Sequence, residues 1–383
     1  MERAQVVVIG GGIIGASIAY HLAKSGMKDV VLIDKELFFG KESTAKCAGG
    51  IRAQFSSAVN IQLSLESIKH FERFSEEMGV EVDFRQVGYL FVSTSPEQWE
   101  RSRAAAAFQQ EHGVPVELIG PDRVRELCPE IELSDVVGGN FCAIDGLADP
   151  HGFHQGYLKV ARQLGVTIHA ERPVTGFEVS GDRILAVKTP QGDIACDQVV
   201  LSSGAWTGEL GRLLGVDIPV EPVRRQIVTT APLDWVDPRW PMVVDNGSGI
   251  YMHPESKGML LGLANKAEPI GFNTNVDEAF TIEIVEAAIA RIPRLEEAAI
   301  SASWAGLYEV TPDHTSIVGP LPQFRNAMVA AGFSGHGFMH GPACGEVVAD
   351  MVMGKQPRID VSALSIERFS GEGAHGMEEA MVI

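Results

Sequence analysis

Residues 6–34 read VVVIGGGIIGASIAYHLAKSGMKDVVLID, and this stretch sets the architecture of the chain. The β-branched run from Val6 to Ile9 predicts a buried strand, which ends at a G-x-G-x-x-G motif formed by Gly10, Gly12 and Gly15. A helical period follows the glycines, and a second apolar run then ends in an acid. The order strand, glycine turn, helix, strand and acid predicts a dinucleotide-binding unit, in which the helix N-terminus faces the phosphates.

Asp34, the acid that ends the second strand, lies 34 − 15 = 19 residues after Gly15. A carboxylate at this spacing accepts hydrogen bonds from the ribose of a dinucleotide. It also disfavours a 2′-phosphorylated dinucleotide, because two negative groups would meet. A glycine-rich turn without a ligand is the less favoured interpretation, since both strands and the acid stand where the motif requires them.

The continuation after Asp34 distinguishes between dinucleotides. It reads KELFFGKESTAKCAGGIRAQF and contains the pattern G-x-x-S-x-x-x-x-x-G-G at Gly40, Ser43, Gly49 and Gly50. This extended pattern resembles the D-amino-acid-oxidase-like family of FAD-dependent oxidoreductases. The resemblance implies that the dinucleotide is FAD rather than NAD.

Composition and charge narrow the class of protein. The chain has 383 residues, 45% of them hydrophobic, which is enough for a large core and two domains. A net charge of −19 argues against nucleic acid or an anionic membrane as partner. Five scattered cysteines without a metal-binding spacing indicate reduced thiols and no metal site. We find no stretch apolar and long enough to span a bilayer and no signal peptide, so we expect a cytoplasmic protein.

The pattern of elements predicts two domains. Apolar residues at helical spacing predict helices over 57–78 and 277–291, and strands dominate most of 166–206 and 219–303. We expect an α/β fold with an FAD-binding Rossmann-type domain and a second, mixed-sheet α+β substrate domain. The FAD-binding domain is predicted to comprise 1–85, 146–217 and 305–362, the substrate domain 86–145 and 218–304, and a C-terminal tail 363–383. The tail from Gly371 onward is glycine-rich and acidic, and we expect it to be mobile.

A second glycine loop stands near the C-terminus. Residues 327–331 are apolar and lead into GFSGHGFMHGP at 332–342, before a segment with helical character. A loop of this kind places N–H donors and the positive end of a helix dipole against the electron-rich edge of a reduced flavin. Together with TPD and GP at 311–320, this loop resembles the sarcosine oxidase branch of the family. The segments IRAQF and FSGHGFMH are most similar to the β subunits of L-proline dehydrogenases and of heteromeric sarcosine oxidases.

The resemblance implies a set of cofactor-binding positions. Val174 matches a strand position beside the adenine, and the strand that ends before Gly204 approaches the nucleotide from its far side. On local signal alone, both are ordinary core. The full set of expected FAD-binding residues is Gly10, Gly12, Ile13, Gly15, Asp34, Lys35, Ser43, Thr44, Cys47, Gly49, Gly50, Val174, Gly204, Trp206, Gly332, Gly335, His336, Gly337 and Met339.

Four residues are candidates for contact with a substrate. Arg52 stands where monomeric sarcosine oxidases hold their carboxylate-binding arginine, and its planar fork suits a bidentate contact. Tyr251 and Tyr308 match pocket tyrosines of the same branch, and His340 follows the second glycine loop. The structural alternatives are a surface arginine, core tyrosines and a packed histidine.

Departures from the family pattern are equally informative. Met339 and Leu260 replace lysines that bind carboxylate and activate oxygen in those oxidases, and Gly306 and Lys46 replace the residues that tether flavin covalently in relatives. We therefore predict noncovalent FAD and poor use of oxygen, because a neutral leucine cannot stabilise developing superoxide. A dehydrogenase is favoured over an oxidase, and a partner subunit or electron acceptor protein is expected to remove the electrons.

The leading functional hypothesis is oxidation of the C–N bond of a small secondary or N-methyl amino acid, such as proline or sarcosine, by hydride transfer to flavin. The alternatives are a primary or D-amino acid or glycine as substrate, and a non-catalytic FAD-binding subunit of a larger complex. A glycerol-phosphate-type dehydrogenase is disfavoured, because 219–303 has few basic residues for a phosphate.

Overall fold

The computed structural model describes residues 2–370 and 379–381, which form two eight-stranded sheets, one three-stranded sheet and eight α-helices. The strands are β1 (Glu2–Ile9), β2 (Val30–Ile33), β3 (Gly50–Ile51), β4 (Phe84–Arg85), β5 (Tyr89–Ser93), β6 (Val116–Ile119), β7 (Gly138–Cys142), β8 (Gly146–Ala148), β9 (Thr167–His169), β10 (Gly176–Ser180), β11 (Arg183–Lys188), β12 (Ile194–Leu201), β13 (Glu221–Thr230), β14 (Met242–Asp245), β15 (Tyr251–Glu255), β16 (Gly258–Leu263), β17 (Ile300–Val310), β18 (Ile317–Pro320) and β19 (Ala327–Ala331). The helices are α1 (Ile13–Lys24), α2 (Ala58–Met78), α3 (Pro96–Glu111), α4 (Pro121–Leu127), α5 (Pro150–Gln163), α6 (Thr207–Leu214), α7 (Glu278–Arg291) and α8 (Gly337–Val352). None of these helices is long and apolar enough to cross a membrane.

The first sheet is centred on β1. Its strands run in the order β10-β11-β12-β1-β2-β9, and β19 joins the second half of β12. β1 pairs in parallel with both neighbours, with Val7 opposite Val199 on β12 and Val31 on β2. Parallel strands at the centre of a sheet are covered on both faces, which explains why 6–9 is an unbroken apolar run. The strand–turn–helix–strand unit is therefore present as the sequence predicts.

Helices α1, α2, α5 and α8 cover one face of this sheet through a common core. The rings of Phe71 and Phe153 lie 4.7 Å apart, and Phe338 lies 5.4 Å from Phe71. Gly341 on α8 packs closely against Ile13 on α1, because a Cβ at this position would already lie 3.3 Å from the Ile13 side chain. This close approach sets the N-terminus of α8 beside that of α1.

The second sheet runs in the order β17-β13-β16-β15-β14-β5-β7-β6 and is mixed, because β14 and β5 are parallel while the other pairs are antiparallel. One face packs on α7, through Phe280, Ile284 and Ala288. The opposite face carries Tyr89, Tyr251 and other apolar side chains, and it borders the cavity that begins at the first sheet. The predicted fold class, a Rossmann-type α/β domain with a mixed-sheet α+β domain, is confirmed.

Two details differ from the sequence-based expectations. β17 belongs to the second sheet along its whole length, so the predicted domain boundary after residue 304 falls inside a strand. The expected mobile tail covers 371–378 and 382–383, which lie outside the described residues, and also 379–381, which hydrogen-bond to the body of the chain. Glu379 is 1% exposed and accepts hydrogen bonds from Ser56 and Asn60. The expectation of mobility is therefore wrong for 379–381.

Candidate active site and dinucleotide cleft

One continuous cavity of about 340 Å³ runs from the carboxyl ends of β1 and β2 to the face of the second sheet. Most of the predicted site residues lie on its wall. These are Gly10, Gly12, Ile13, Asp34, Lys35, Ser43, Thr44, Cys47, Gly50, Arg52, Val174, Gly204, Trp206, Tyr251, Tyr308, Gly335, His336, Gly337 and Met339. The remaining four, Gly15, Gly49, Gly332 and His340, lie behind the wall.

The glycine turn after β1 has no room for side chains. Gly10 has φ +108°, and a Cβ there would overlap the carbonyl of Ser202. A Cβ on Gly15 would overlap the Gly10 carbonyl, so α1 packs directly on the turn. Gly12 caps α1 without a side chain, and Ile13 donates its N–H to Thr44 Oγ1 at 3.1 Å. This bare helix N-terminus on the cavity wall suits a pyrophosphate.

Asp34 is held beside this glycine turn, on the wall of the same cleft. Its Oδ2 accepts the Gly11 N–H at 2.6 Å, and its Oδ1 accepts the Glu36 N–H at 2.8 Å. Burial raises the pKa of this carboxyl, while the two backbone N–H groups act in the opposite direction. Lys35 and Trp206 lie together, with the Lys35 Nζ 3.3 Å from the ring centroid. A carboxylate beside an aromatic and apolar wall fits the adenosine half of a dinucleotide.

The other half of the cleft is built around the N-terminus of α8. No side chain caps this helix, whose cap residue is His336. Gly335 has φ +96°, and a Cβ there would overlap the ring of Tyr308. Ser43 donates to the Leu307 carbonyl at 2.7 Å and ties the loop after β2 to β17. Uncapped N–H groups and a positive dipole end at this place suit an electron-rich ring edge.

Arg52 lies in this second half and is 1% exposed. Its guanidinium donates to the carbonyls of Gln54 and Met381, and Nη2 lies 3.2 Å from His336 Nε2. It stacks over Phe55 at 3.9 Å from the ring centroid. Because the guanidinium is always a donor, His336 Nε2 must accept and the ring is neutral. Burial, followed by the charge of Arg52, holds the pKa of His336 well below its usual range.

Arg52 has no carboxylate within ion-pair distance among the described residues. Asp145 is nearby, but it accepts hydrogen bonds from Ala53 N at 2.7 Å and Gln54 Nε2 at 3.0 Å instead. Burial raises the pKa of Asp145 to about 7. The carboxyl group thus fixes the backbone that carries Arg52 without neutralising the guanidinium. A buried cation that lacks an ion-pair partner among the described residues suits an anionic ligand.

Tyr251 and Tyr308 border the same space. Tyr251 crosses over Gly262, its partner on β16, where any Cβ would overlap the ring. Burial raises the pKa of both hydroxyls, so both stay protonated and act as donors. Within the described residues neither hydroxyl has a hydrogen-bond partner, which leaves both available to a ligand.

His340 occupies a different position from the one we expected. Its Nε2 lies 2.9 Å from Ser64 Oγ, and its ring packs at 4.9 Å from that of Phe55. Burial lowers its pKa to about 3. The residue therefore packs behind Phe55 and is not part of the cavity wall, and its contact with a substrate stays a prediction. Leu260 also lies away from the main cavity, although it borders a second cavity that shares Cys47 with the first.

Several lining residues were missed in the sequence. Glu309 is half-buried and accepts the Gly332 N–H at 2.9 Å, and desolvation of its carboxyl raises the pKa to about 7. Tyr89 and Arg225 enter the cavity from the second sheet. None of these three carries a local motif. Each lies in a strand beside a polar or glycine-rich segment. Many strands have such neighbours, so this feature could not identify the three as cavity residues.

Comparisons with known proteins agree with this geometry. The family described as FAD dependent oxidoreductase matches residues 5–351. Mitochondrial dimethylglycine dehydrogenase of Rattus norvegicus is 32% identical over 389 residues, which cover 96% of this chain and 45% of that protein. The chain thus spans less than half of that relative. L-Proline dehydrogenase from P. horikoshii has a TM-score of 0.91 at 32% identity, covering 96% of this chain and 98% of that one.

A second solved structure extends the comparison. Glycine oxidase from Geobacillus kaustophilus has a TM-score of 0.88 at 26% identity, covering 97% of this chain and 100% of that one. The family matches most of the chain. The glycine turn and Asp34 lie together in the cleft, as a bound dinucleotide requires. The chain therefore belongs to the FAD-dependent oxidoreductase family, and FAD is the cofactor for which this cleft is built.

Proposed function

We propose that this protein oxidises the C–N bond of a small secondary or N-methyl amino acid. The observation that carries the proposal is Arg52, a buried guanidinium without a carboxylate partner among the described residues, on the wall of the FAD cleft. A substrate carboxylate would supply the missing negative charge. The similarity to dimethylglycine dehydrogenase and L-proline dehydrogenase supports an amine with this carboxylate.

Each residue on the cavity wall has a separate proposed role in the reaction. Arg52 binds the carboxylate and fixes the distance of the α-carbon from the flavin. Tyr251 and Tyr308 donate their hydroxyls to the ligand, and Ile227 and Met242 provide an apolar wall that excludes water. FAD held in this cleft would supply hydride acceptance, so that the C–H bond next to nitrogen breaks, the nitrogen lone pair forms the C=N bond, and water hydrolyses the imine. The N-terminus of α8 would favour negative charge on the ring edge beside it.

We propose that FAD is held without a covalent bond and that electrons leave to an acceptor protein or partner subunit. Gly306 and Lys46 provide no nucleophile where relatives of this type attach flavin. Cys47 lines the cleft, but burial raises the pKa of its thiol to about 11 and keeps it protonated. Precipitation with acid should release all yellow colour into the supernatant. Colour retained in the pellet would contradict noncovalent binding.

The predicted two domains and a reducing compartment remain proposals as well. The two large sheets support the division into domains. Five free cysteines, four of them buried, support a compartment such as the cytoplasm in which thiols stay reduced. Cell fractionation of the native protein would test the location.

An anaerobic titration tests the proposed reaction. The purified protein is mixed with L-proline, sarcosine, dimethylglycine, glycine or D-alanine in turn, and the visible flavin spectrum is recorded. Bleaching by a secondary or N-methyl amino acid is the expected result, and slow recovery in air would identify a dehydrogenase. Bleaching by glycine or D-alanine alone would favour a primary amine, in line with the similarity to glycine oxidase. A flavin that no amine bleaches would favour the non-catalytic alternative.

A further inference from the structure

Arg225 is a second cation on the wall of the same cavity. It lies on β13 opposite Gly306 on β17, and residues directly opposite in an antiparallel pair share one face of the sheet. Tyr308 is its diagonal neighbour on that face, with the guanidinium carbon of Arg225 5.1 Å from the ring centroid. Arg225 thus approaches the pocket from the side of the second sheet, whereas Arg52 comes from the FAD side.

The polar atoms of Arg225 are poorly satisfied. Nη1 donates to the carbonyl of the adjacent Arg224 at 2.9 Å. Its Nε is buried and has no hydrogen-bond partner within the described residues. No carboxylate of that part of the chain lies within 4.0 Å of it. Arg224 differs, because its side chain points to the other face and pairs with Glu268 at 2.9 Å.

Other cations on the cavity wall are paired. Their carboxylate partners lie within 4.0 Å in each case, namely Glu36 for Lys35 and Lys41, Glu42 for Lys46, and Glu2 for Arg172. In the described chain, Arg52 and Arg225 are therefore the two lining cations that lack a carboxylate. The charges of both act on the hydroxyl of Tyr308, which lowers the pKa that burial raises.

Two unpaired guanidinium groups in one pocket are costly, because a desolvated charge needs a counter-charge. An amino acid with one carboxylate neutralises only one of them. The uncapped N-terminus of α8 would meet the negative charge of a reduced flavin, which leaves Arg225 without a counter-charge. We propose that Arg225 binds a second anionic group, and that the substrate is a secondary amine with two carboxylates. This inference rests on the proposed amine oxidation, since it names the substrate class of the same site.

Unreactive ligands test the inference without turnover. Thiodiacetate and methylthioacetate carry sulfur in place of the amine nitrogen and differ by one carboxylate. Calorimetry with the FAD-loaded protein should show that thiodiacetate binds about tenfold to a hundredfold more tightly, as one charge-assisted contact allows. Arg225→Met should abolish this preference while the affinity for methylthioacetate changes little. Arg225→Lys should keep part of it.

A matched control removes a charge elsewhere. Arg239 is exposed, lies outside the cavity wall and pairs with Asp237 at the surface. Arg239→Met should leave the preference for thiodiacetate intact. If the wild-type protein binds the two ligands equally, the inference is overturned even if an Arg225 variant fails to fold. It is also overturned if Arg225→Met weakens both ligands equally, because Arg225 would then bind the only carboxylate.

Reaction products separate this inference from the proposed function. Iminodiacetate is sarcosine with a second carboxylate, and its oxidation would transfer a hydride to FAD and form an imine that water splits into glycine and glyoxylate. We expect iminodiacetate or an N-methyl dicarboxylic amino acid to bleach the flavin at lower concentration than sarcosine. Bleaching by sarcosine at the lower concentration would contradict the inference while supporting amine oxidation. A flavin that is bleached by none of iminodiacetate, sarcosine, L-proline and dimethylglycine would contradict the proposed reaction, whereas calorimetry would still report on Arg225.

Discussion

Arg52 is the residue that we propose binds the substrate carboxylate. Its guanidinium is buried, stacks on Phe55, and donates to a carbonyl of the C-terminal segment where a substrate carboxylate is expected. A planar fork forms two parallel hydrogen bonds to a carboxylate, whereas an ammonium group is a point charge. The identity of the cation should therefore matter as much as its charge.

Substitution of Arg52 is our first prediction. Arg52→Lys should raise the substrate concentration for half-maximal flavin reduction about tenfold, and Arg52→Met about a hundredfold, because one or both charge-assisted contacts are lost. The limiting rate of reduction should change less, since the carboxylate is bound equally before and during hydride transfer. Stopped-flow reduction of the flavin measures both. Unchanged half-saturation in Arg52→Met would exclude Arg52 as the carboxylate-binding residue.

Some residues of the cavity could be predicted from the sequence, and others could not. Asp34 was predictable, because its place is set by a short, local spacing from the glycine turn. Glu309 and Arg225 were not, because each reaches the cavity only after β13 and β17 pair with each other. His340 was placed in contact with substrate because it follows a glycine loop, but the helical turn of α8 directs it to Ser64. Local motifs identify residues near the chain's own turns and miss those brought in by distant strands.

The β1–turn–α1 element depends on close backbone contact. Our second prediction is that Gly15→Ala disrupts it, because the new Cβ would overlap the Gly10 carbonyl, which cannot move without shifting β1. We expect loss of most bound FAD, measured as the ratio of absorbance at the flavin band to that of protein, and a lower melting temperature. Gly120→Ala is the matched control, since nothing lies within 4 Å of a Cβ there. Full FAD content in Gly15→Ala would show that the turn relaxes.

The segment 379–381 is a second element that bears on the site. The carboxylate of Glu379 accepts hydrogen bonds from Ser56 N at 2.9 Å, Ser56 Oγ at 2.6 Å and Asn60 Nδ2 at 3.0 Å. These contacts hold the Met381 carbonyl against Arg52. A carboxylate ligand must compete with this carbonyl for the same N–H donors.

Release of this segment is our third prediction. Glu379→Ala removes the five hydrogen bonds that this carboxylate accepts, from Ser56 N, Ser56 Oγ, Ser57 Oγ, Asn60 Nδ2 and Met381 N. The variant should lower the dissociation constant of methylthioacetate about threefold to tenfold, because Arg52 is freed. Calorimetry measures the change. Glu367→Ala removes an exposed carboxylate from the neighbouring stretch and should have no effect. Weaker binding in Glu379→Ala would mean that the segment completes the pocket rather than competing with the ligand.

Across the whole molecule, the order of elements was easier to predict than their pairing. The helices over 58–78 and 278–291 appear within one residue of the expected positions, because their apolar stripes are long and regular. The β17 strand was split between two predicted domains, because its sequence changes from polar to aromatic along its length while its pairing with β13 does not. Sheet membership depends on partners far along the chain, and no local pattern encodes it.

Buried histidines and carboxyls determine how the stability of the protein responds to acid. For each group below, burial is the largest cause of the shift in its pKa. It lowers the pKa of five histidines below the usual 6.5, to about 3 for His21 and His340 and to about 4 for His154, with His253 and His336 also lowered. It raises the pKa of three carboxyls, to about 7 for Asp145 and Glu309, with Asp34 also raised.

These two groups act in opposite directions between about pH 4.5 and pH 6.5. In that window the unfolded chain protonates its histidines, while the folded protein keeps His21, His154, His336 and His340 neutral, so acid lowers the free energy of unfolding. Asp145 and Glu309 are protonated mainly in the folded protein, so they have the reverse effect. Each proton changes the free energy of unfolding by about 1.4 kcal/mol per pH unit. Four histidines against two carboxyls leave a net loss of stability as the pH falls.

Our fourth prediction follows from this balance. The melting temperature, measured by calorimetry in buffers between about pH 4.5 and pH 6.5, should fall steadily toward acid. His21→Phe should make the dependence shallower, because it removes one titrating ring whose Nε2 is buried without a partner in the described chain. The phenyl ring keeps the edge contact with Tyr20, whose ring lies 4.9 Å away. A variant with the same slope as the wild-type protein would show that His21 is protonated in the folded state and that its burial does not govern the acid response.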